Sequence, residues 1–378
     1  MGMKKILLVG LLVIASACED DPDPSGDKFS TFDRQVLLGD LAKNVIRPGF
    51  DSMLRELTEL EQSVQVFTAA PTEANLVQAR TEWIQAARAW KRVEFFKLGL
   101  LNESLPMLAT IDIGAADPVK RTAPIDSAAF EQAIATGTTV NVTYVESQAP
   151  SLQGIPMLEY LLFRSSLSAV VQDYTQATNA EQRKAYLFAV AQTVRQKIGL
   201  LVDDWGGGYE NTFRAADGRD IGSSIGMLVN DLAFLTEAIK NEKIGRPLGF
   251  RTAGIEQPSS VEARLSGQSL QFILDNLTGI EQTITGDGVT NGIGLADLLR
   301  HVDAKYGDID LSTLILQQIQ TIRGKIEGIQ APLPEAVVNN TEAIQQLYDE
   351  LKKLVVLIKV DVANNLGVMI TYTDNDGD

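Results

Sequence analysis

Cysteine and histidine are almost missing from this sequence: 378 residues hold one of each, Cys18 and His301. A lone cysteine excludes any disulfide within the chain, so packing must hold the fold. A lone histidine is the sharper limit. Catalytic zinc takes three protein ligands, typically with histidine among them, and a Ser-His hydrolase needs a histidine base. Both chemistries would have to draw on His301, which stands in Leu298-Leu299-Arg300-His301-Val302 and reads as a half-exposed helix residue. Basic residues are also scarce, 33 against 49 acidic ones, and the net charge of −16 argues against nucleic acid, which demands clustered Lys and Arg. The same acidity suits cations or basic partners, and equally serves solubility. Beyond the N-terminus no segment approaches the roughly 20 apolar residues of a membrane span.

At the N-terminus Lys4 and Lys5 precede an apolar run over 6–14, too short to cross a bilayer, which ends in Ala15-Ser16-Ala17-Cys18. Small residues before a cysteine resemble the lipobox cut by bacterial lipoprotein signal peptidase, although Leu is commoner where Ala15 stands. Cleavage would leave residues 1–18 as signal and lipidated Cys18, whose acyl chains hold a soluble domain stably at a membrane. An ordinary signal peptide cut after Ala17 is the alternative. Residues 19–29 begin Glu19-Asp20-Asp21-Pro22-Asp23-Pro24 and read as a flexible acidic tether. Acidic residues directly after a lipidated cysteine resemble a surface-export signal. The expected location is the cell envelope, lipid-anchored at the outer membrane, on its periplasmic face or at the cell surface.

Hydrophobic residues make up 45% of the chain, enough for a full core. They recur at helical spacing and show no convincing strand alternation, so an all-α fold is expected. One helix follows Ser30-Thr31 and stops before Pro48. A second spans 50–67, with Met53, Leu54, Leu57, Leu60 and Val64 on one stripe, and Thr72 caps a third that ends near Gly99. From 100 to 153 the breakers Pro106, Pro118, Pro124 and Gly137 leave one short helix at 127–135. Helices follow at 156–164, 179–205 and 221–241. Gly245-Arg246-Pro247-Leu248-Gly249 then divides a bundle over 30–245 from one over 250–378. The latter has helices at 266–285, 295–302, 311–329 and 340–366, with Asn339 as N-cap and Gly367 as C-cap. An internal echo sets Leu54, Leu57, Thr58, Glu61 and Gln62 against Leu274, Leu277, Thr278, Glu281 and Gln282 at constant offset. Two fused up-and-down bundles related by duplication are expected, with convergence of two amphipathic helices as the alternative.

The most telling segment is Gly154-Ile155-Pro156-Met157-Leu158-Glu159-Tyr160-Leu161-Leu162-Phe163. It resembles the signature of the imelysin family, Gly-x-His-x-x-Glu followed by Tyr-Leu-Leu and an aromatic. Trp83 and Trp90, Asp203-Asp204-Trp205, Arg246-Pro247-Leu248, Val261-Glu262 and Ser266 agree with the family's order. The ending Leu366-Gly367-Val368 with Asp374-Asn375-Asp376-Gly377-Asp378 is similar to its C-terminal signature. The resemblance spans roughly 32–378. It implies two function classes, because imelysin relatives are classed as metallopeptidases and others are linked to iron uptake at the bacterial envelope. This chain departs from the family at Pro156, which stands where the motif has His. Histidine and glutamate three apart share a helical face and can hold a metal or a proton. Proline suits the helix start but donates nothing to a metal.

Glu159 has Ile155, Pro156, Leu162 and Phe163 three and four residues away, so its carboxylate must pair, hydrogen-bond or take up a proton. Either it belongs to a remnant ligand site or is an anion in a closed pocket, or it is structural and pairs with Arg88, Arg92 or backbone amides. Trp83, Ala87, Trp90 and Glu94 form one stripe, with the aromatics expected in the core and Glu94 either facing the same cleft as Glu159 or solvated. Asp203 and Asp204 are expected to face solvent, and Asp374-Asn375-Asp376-Gly377-Asp378, which resembles an unfinished calcium loop, reads rather as a polar terminus. The expected ligand-binding set is Gly154, Pro156, Glu159, Trp90, Glu94 and Arg92, with Glu159 as metal ligand, iron or another divalent or trivalent cation as the cofactor to test, and no catalytic residue. The function expected is a non-catalytic envelope lipoprotein that binds a ligand in metal or haem acquisition alongside envelope uptake proteins. A cell-surface scaffold and, last, an active peptidase are the alternatives.

Overall fold

The computed structural model describes residues 27–122, 124–135 and 137–371. Cys18, the signal segment, the tether up to residue 26 and the run 374–378 lie outside the described residues. Within them the all-α expectation holds. The strands described are Lys305–Tyr306 and Ile309–Asp310, a two-rung antiparallel ribbon. No helix among the described residues is long and apolar enough to cross a membrane.

Pro48 does not stop a helix. α1 (Arg34–Leu41) passes through a widened turn, Ala42–Ile46, into α2 (Arg47–Ala69). An i→i+5 turn makes room for the ring and the missing N–H of a proline in the next turn. α3 (Glu73–Val93) starts at Thr72, whose hydroxyl accepts from the Asn75 N–H at 3.2 Å. The proline-punctuated stretch after α3 holds several short helices rather than one, including Leu105–Ile111, Ile113–Ala116, Pro118–Thr122 and Ser127–Ala133. Beyond it lie α4 (Gly154–Phe163), α5 (Ala180–Asp204), α6 (Ser224–Ala238), α7 (Ser269–Thr285), α8 (Leu311–Glu327) and α9 (Thr341–Val356). Asn339 is not a cap: it closes the helix Leu333–Asn339, and Asn340 stands at the start of α9 with no side-chain capping bond. α9 continues through the widened turn Leu357–Val362 to Leu366, where Gly367 takes φ +67° and ends it as expected.

α2 packs along α3 and α5, α3 lies against α7, and α7 and α9 pack on α8. α6, which precedes the 245–249 break, packs against α9 and Leu357–Val362. Buried apolar side chains from Phe29 to Val368 form one continuous cluster.

The internal echo has a counterpart in bonding. Thr58 Oγ1 donates to the Leu54 carbonyl at 2.8 Å, and Thr278 Oγ1 to the Leu274 carbonyl at 2.9 Å. Glu61 is held by Gln192 and Arg195 of α5, and Glu281 by Gln320 and Arg323 of α8. Gln192-Thr193-Val194-Arg195 and Gln320-Thr321-Ile322-Arg323 are therefore a second echo that answers the first. The copies diverge where their surroundings differ. Arg55 and Glu59 of α2 are exposed, whereas their counterparts Asp275 and Gly279 are buried against α3. A Cβ on Gly279 would run into the Arg92 carbonyl, so glycine sets how closely α7 approaches α3.

Candidate functional site

The end of α3 brings polar groups inward. Trp83 and Trp90 are buried, as expected, yet each ring carries a polar tip that fixes a neighbour. Trp83 Nε1 donates to the Ile155 carbonyl at 3.1 Å, holding the start of α4, and Trp90 Nε1 donates to Asp112 Oδ2 at 2.9 Å. Asp112 caps Ile113–Ala116 through its other oxygen, which accepts from the Gly114 N–H at 2.9 Å. Asp112 thus closes the helix Leu105–Ile111 with its backbone N–H and starts the next with its carboxylate.

Around Asp112 lies a buried ionic centre of three acids and three bases. Lys91 Nζ reaches Glu94 at 2.7 Å, Asp112 at 2.8 Å and Glu262 at 3.0 Å. Arg121 Nη1 bonds Glu262 at 2.8 Å and Glu94 at 3.2 Å. Lys243 Nζ bonds Glu262 at 2.8 Å and donates to Asn276 Oδ1 at 2.6 Å. Asn276 Nδ2 in turn donates to Glu94 Oε1 at 2.9 Å. Burial alone would raise the Glu94 carboxyl, but Arg121, Lys91 and Lys243 hold it at about 2. Against the same burial, Lys243, Lys91 and Arg121 keep Glu262 well below the ordinary range. Glu94 is therefore not solvated. Its partners were not singled out from the sequence, where the signal was Lys91 on a helix face flanked by Ala87 and Trp90.

Glu159 lies beside this centre and outside its bonds. Its Oε1 accepts from the Ser266 N–H at 2.8 Å, so the backbone-amide reading holds and the arginine pairing does not. Arg88 and Arg92 both bond Asp275 of α7, at 2.9 Å each, and neither lines the cleft. Arg92 accordingly leaves the expected ligand-binding set, and Trp90 reaches the site through Asp112. Burial pushes Glu159 up to about 7, against the bonds from Ser266, with nearby Glu262 adding to the rise.

Pro156 and Glu159 line two connected spaces. The inner one is a chamber of about 30 Å³ that Lys91, Asp112, Arg121 and Glu262 also face, room for about one water. Outside it is a cleft of about 470 Å³ walled by Arg121, Pro156, Glu159, Tyr160, Arg164 and Arg264. Gly154 makes the approach possible. It has φ +80°, and a Cβ there would press into the Ile111 carbonyl. Gly154→Ala should destabilise the protein by about 2–4 kcal/mol through strain and overpacking. Urea unfolding measures it, and a loss below about 1 kcal/mol would show that α4 can shift.

The metal of the usual motif does not fit these residues. Pro156 supplies no donor, and Glu94, Asp112 and Glu262 are already bonded to lysine and arginine. Among the described residues no three His, Cys, Asp or Glu side chains gather as a metal site requires, so Glu159 has no co-ligands. His301 stands apart, its Nε2 2.9 Å from Thr31 Oγ1 and its ring 5.2 Å from Phe32. Gly222-Ser223-Ser224-Ile225-Gly226 has the Gly-x-Ser-x-Gly spacing of a nucleophile elbow, but Ser224 is buried and donates to the Phe213 carbonyl at 2.6 Å. Asp203 is exposed as expected; Asp204 is half-buried and accepts from the Leu100 N–H at 3.3 Å.

These features define a predominantly α-helical protein with an ionic centre between α3 and α7 and a cleft at the start of α4. The chain belongs to the imelysin family: the family's profile, described as Imelysin, matches residues 46–359. It is similar to Iron-regulated protein A of Synechococcus elongatus, with 24% identity over 365 residues, 92% of this chain and 90% of that protein. Among solved structures it resembles an imelysin-like protein from Psychrobacter arcticum, with a TM-score of 0.70, 18% identity, and coverage of 90% of this chain and 97% of that one. A protein described as an iron-regulated protein A precursor from Parabacteroides distasonis gives a TM-score of 0.70 and 18% identity, covering 88% of this chain and 95% of that one. The two structural likenesses establish the fold.

Proposed function

We propose that this chain is a non-catalytic envelope lipoprotein, anchored through Cys18, that binds a small ligand in the Pro156–Glu159 cleft and serves iron or haem acquisition. The observation that carries the binding role is the cleft itself: about 470 Å³ beside the family motif, within the size range of small-molecule sites. The names of the relatives, two of them iron-regulated proteins, support the iron link. The replacement of the motif histidine by Pro156 and the bonded state of the neighbouring acids support a non-catalytic role, because Glu159 is left without the ligand set that would hold a zinc ion beside it.

Thermal melts of the purified protein with iron salts, haem and iron chelates test this reading. A true ligand at a hundred times its Kd stabilises by about 2.7 kcal/mol, an upward shift of about 4 °C for a chain of this size. The shift should vanish in Ser127→Trp, which fills the exposed mouth of the cleft. No shift with any compound, or one that Ser127→Trp leaves intact, would sink it.

A further inference from the structure

We propose that the cleft takes a small polycarboxylate anion, free or as its ferric chelate, gripped by Arg121 and Arg264, and that it excludes bare metal cations. This rests on the ligand-binding reading above and names the class of ligand.

The first argument is local charge. The chain as a whole carries −16, yet the cleft walls hold Arg121, Arg164 and Arg264 against the single acid Glu159. Arg164 is neutralised by Asp173 and Glu131. Arg264 is exposed at the mouth, close enough to Glu159 to act on its charge. Arg121 belongs to a balanced centre, so the charge that decides at the mouth is Arg264 against Glu159, and once Glu159 is protonated the exposed guanidinium favours an anion over a cation.

The second is Arg121. Its side chain is 1% exposed and lines both the chamber and the cleft. Its Nη1 serves Glu94 and Glu262, but its buried Nε has no hydrogen-bond partner. A guanidinium offers five donors in a planar fork matched to carboxylates, and a buried donor left unmade is costly. The third is the state of the acids. A cation would need ligands, and Glu94, Asp112 and Glu262 already face Lys91, Arg121 and Lys243. Glu159, pushed up to about 7, takes a proton readily and then donates to a carboxylate instead of repelling it.

Calorimetric titration of the purified protein with citrate, ferric citrate and Zn²⁺, each alone, decides the matter. Citrate should bind at one site and Zn²⁺ should show no saturable heat. Arg264→Glu, an exposed change that spares the buried centre, should weaken citrate about tenfold with an unchanged melting temperature. Equal affinity for citrate and ferric citrate assigns the free acid; tighter ferric citrate assigns the chelate. Saturable Zn²⁺ without citrate would overturn the anion assignment while leaving a binding protein. Citrate affinity untouched by Arg264→Glu would overturn it by placing the anion elsewhere. No citrate binding, together with no shift in any thermal melt, would remove the ligand-binding reading as well.

Discussion

Lys91→Met should lower the free energy of unfolding by about 3–5 kcal/mol at pH 7, the loss expected when one partner of a buried ion pair is removed. Lys91 alone touches all three acids of the centre, so its loss leaves three buried carboxylates facing Arg121 and Lys243. Asp112→Asn in the Lys91→Met background restores the balance of charge and should recover part of the loss, which a double-mutant cycle in urea would measure. A single-mutant loss below about 1 kcal/mol would mean that water enters the centre. The same acids set an acid limit. Glu94 is held at about 2 against an ordinary 4.5, so its stabilisation is present above pH 4.5 and is lost as pH falls toward 2.

Glu159→Gln should have the opposite sign and a different window. Glu159 is raised from 4.5 to about 7, so its folded form is favoured while protonated, and that advantage is lost as pH rises through 7. Glutamine keeps the acceptor for Ser266 without the charge. The variant should match wild type at pH 4, below the unfolded value, and exceed it at pH 8 by up to about 3 kcal/mol, a rise of about 4 °C in Tm. Glu262 and Arg264 face Glu159 from the segment before α7, Lys91 faces it from α3, and Asp112 and Arg121 from the short helices between. Asp231, which burial raises to about 7, titrates in both proteins and cancels in the difference. Equal melting at pH 8 would show that Glu159 is already solvated when charged.

What was legible in the sequence follows the range of each signal. Helical periodicity is local, so the long helices and the Gly367 cap could be read directly, and the motif placed Gly154, Pro156 and Glu159 together at the head of α4. Pro48 misled because a widened turn upstream is invisible in a residue pattern. Asn339 misled because Asn340 stands beside it with equal propensity. The ionic centre was illegible for a stronger reason. Lys91, Arg121, Lys243 and Glu262 are far apart in the chain, and a charged residue in an amphipathic helix ordinarily marks the solvated face. Only Glu94 was suspected, because it ends a stripe of tryptophans. The second echo, Gln192 to Arg195 against Gln320 to Arg323, was present in the letters and became meaningful once each arginine was seen on its own glutamate.

The centre also bears on how the protein assembles. Before the 245–249 break the chain contributes Lys91, Glu94, Asp112, Arg121 and Lys243, and after it Glu262 and Asn276. Without Glu262 the earlier contribution carries one surplus positive charge, which cannot be sealed from water at tolerable cost. The early part of a growing chain must therefore leave this pocket open until α7 and the segment before it arrive. Docking then becomes self-checking: a register slipped by one helical turn would strand Glu262 and Asn276 away from Lys243. Such a misfit would stay hydrated and loose.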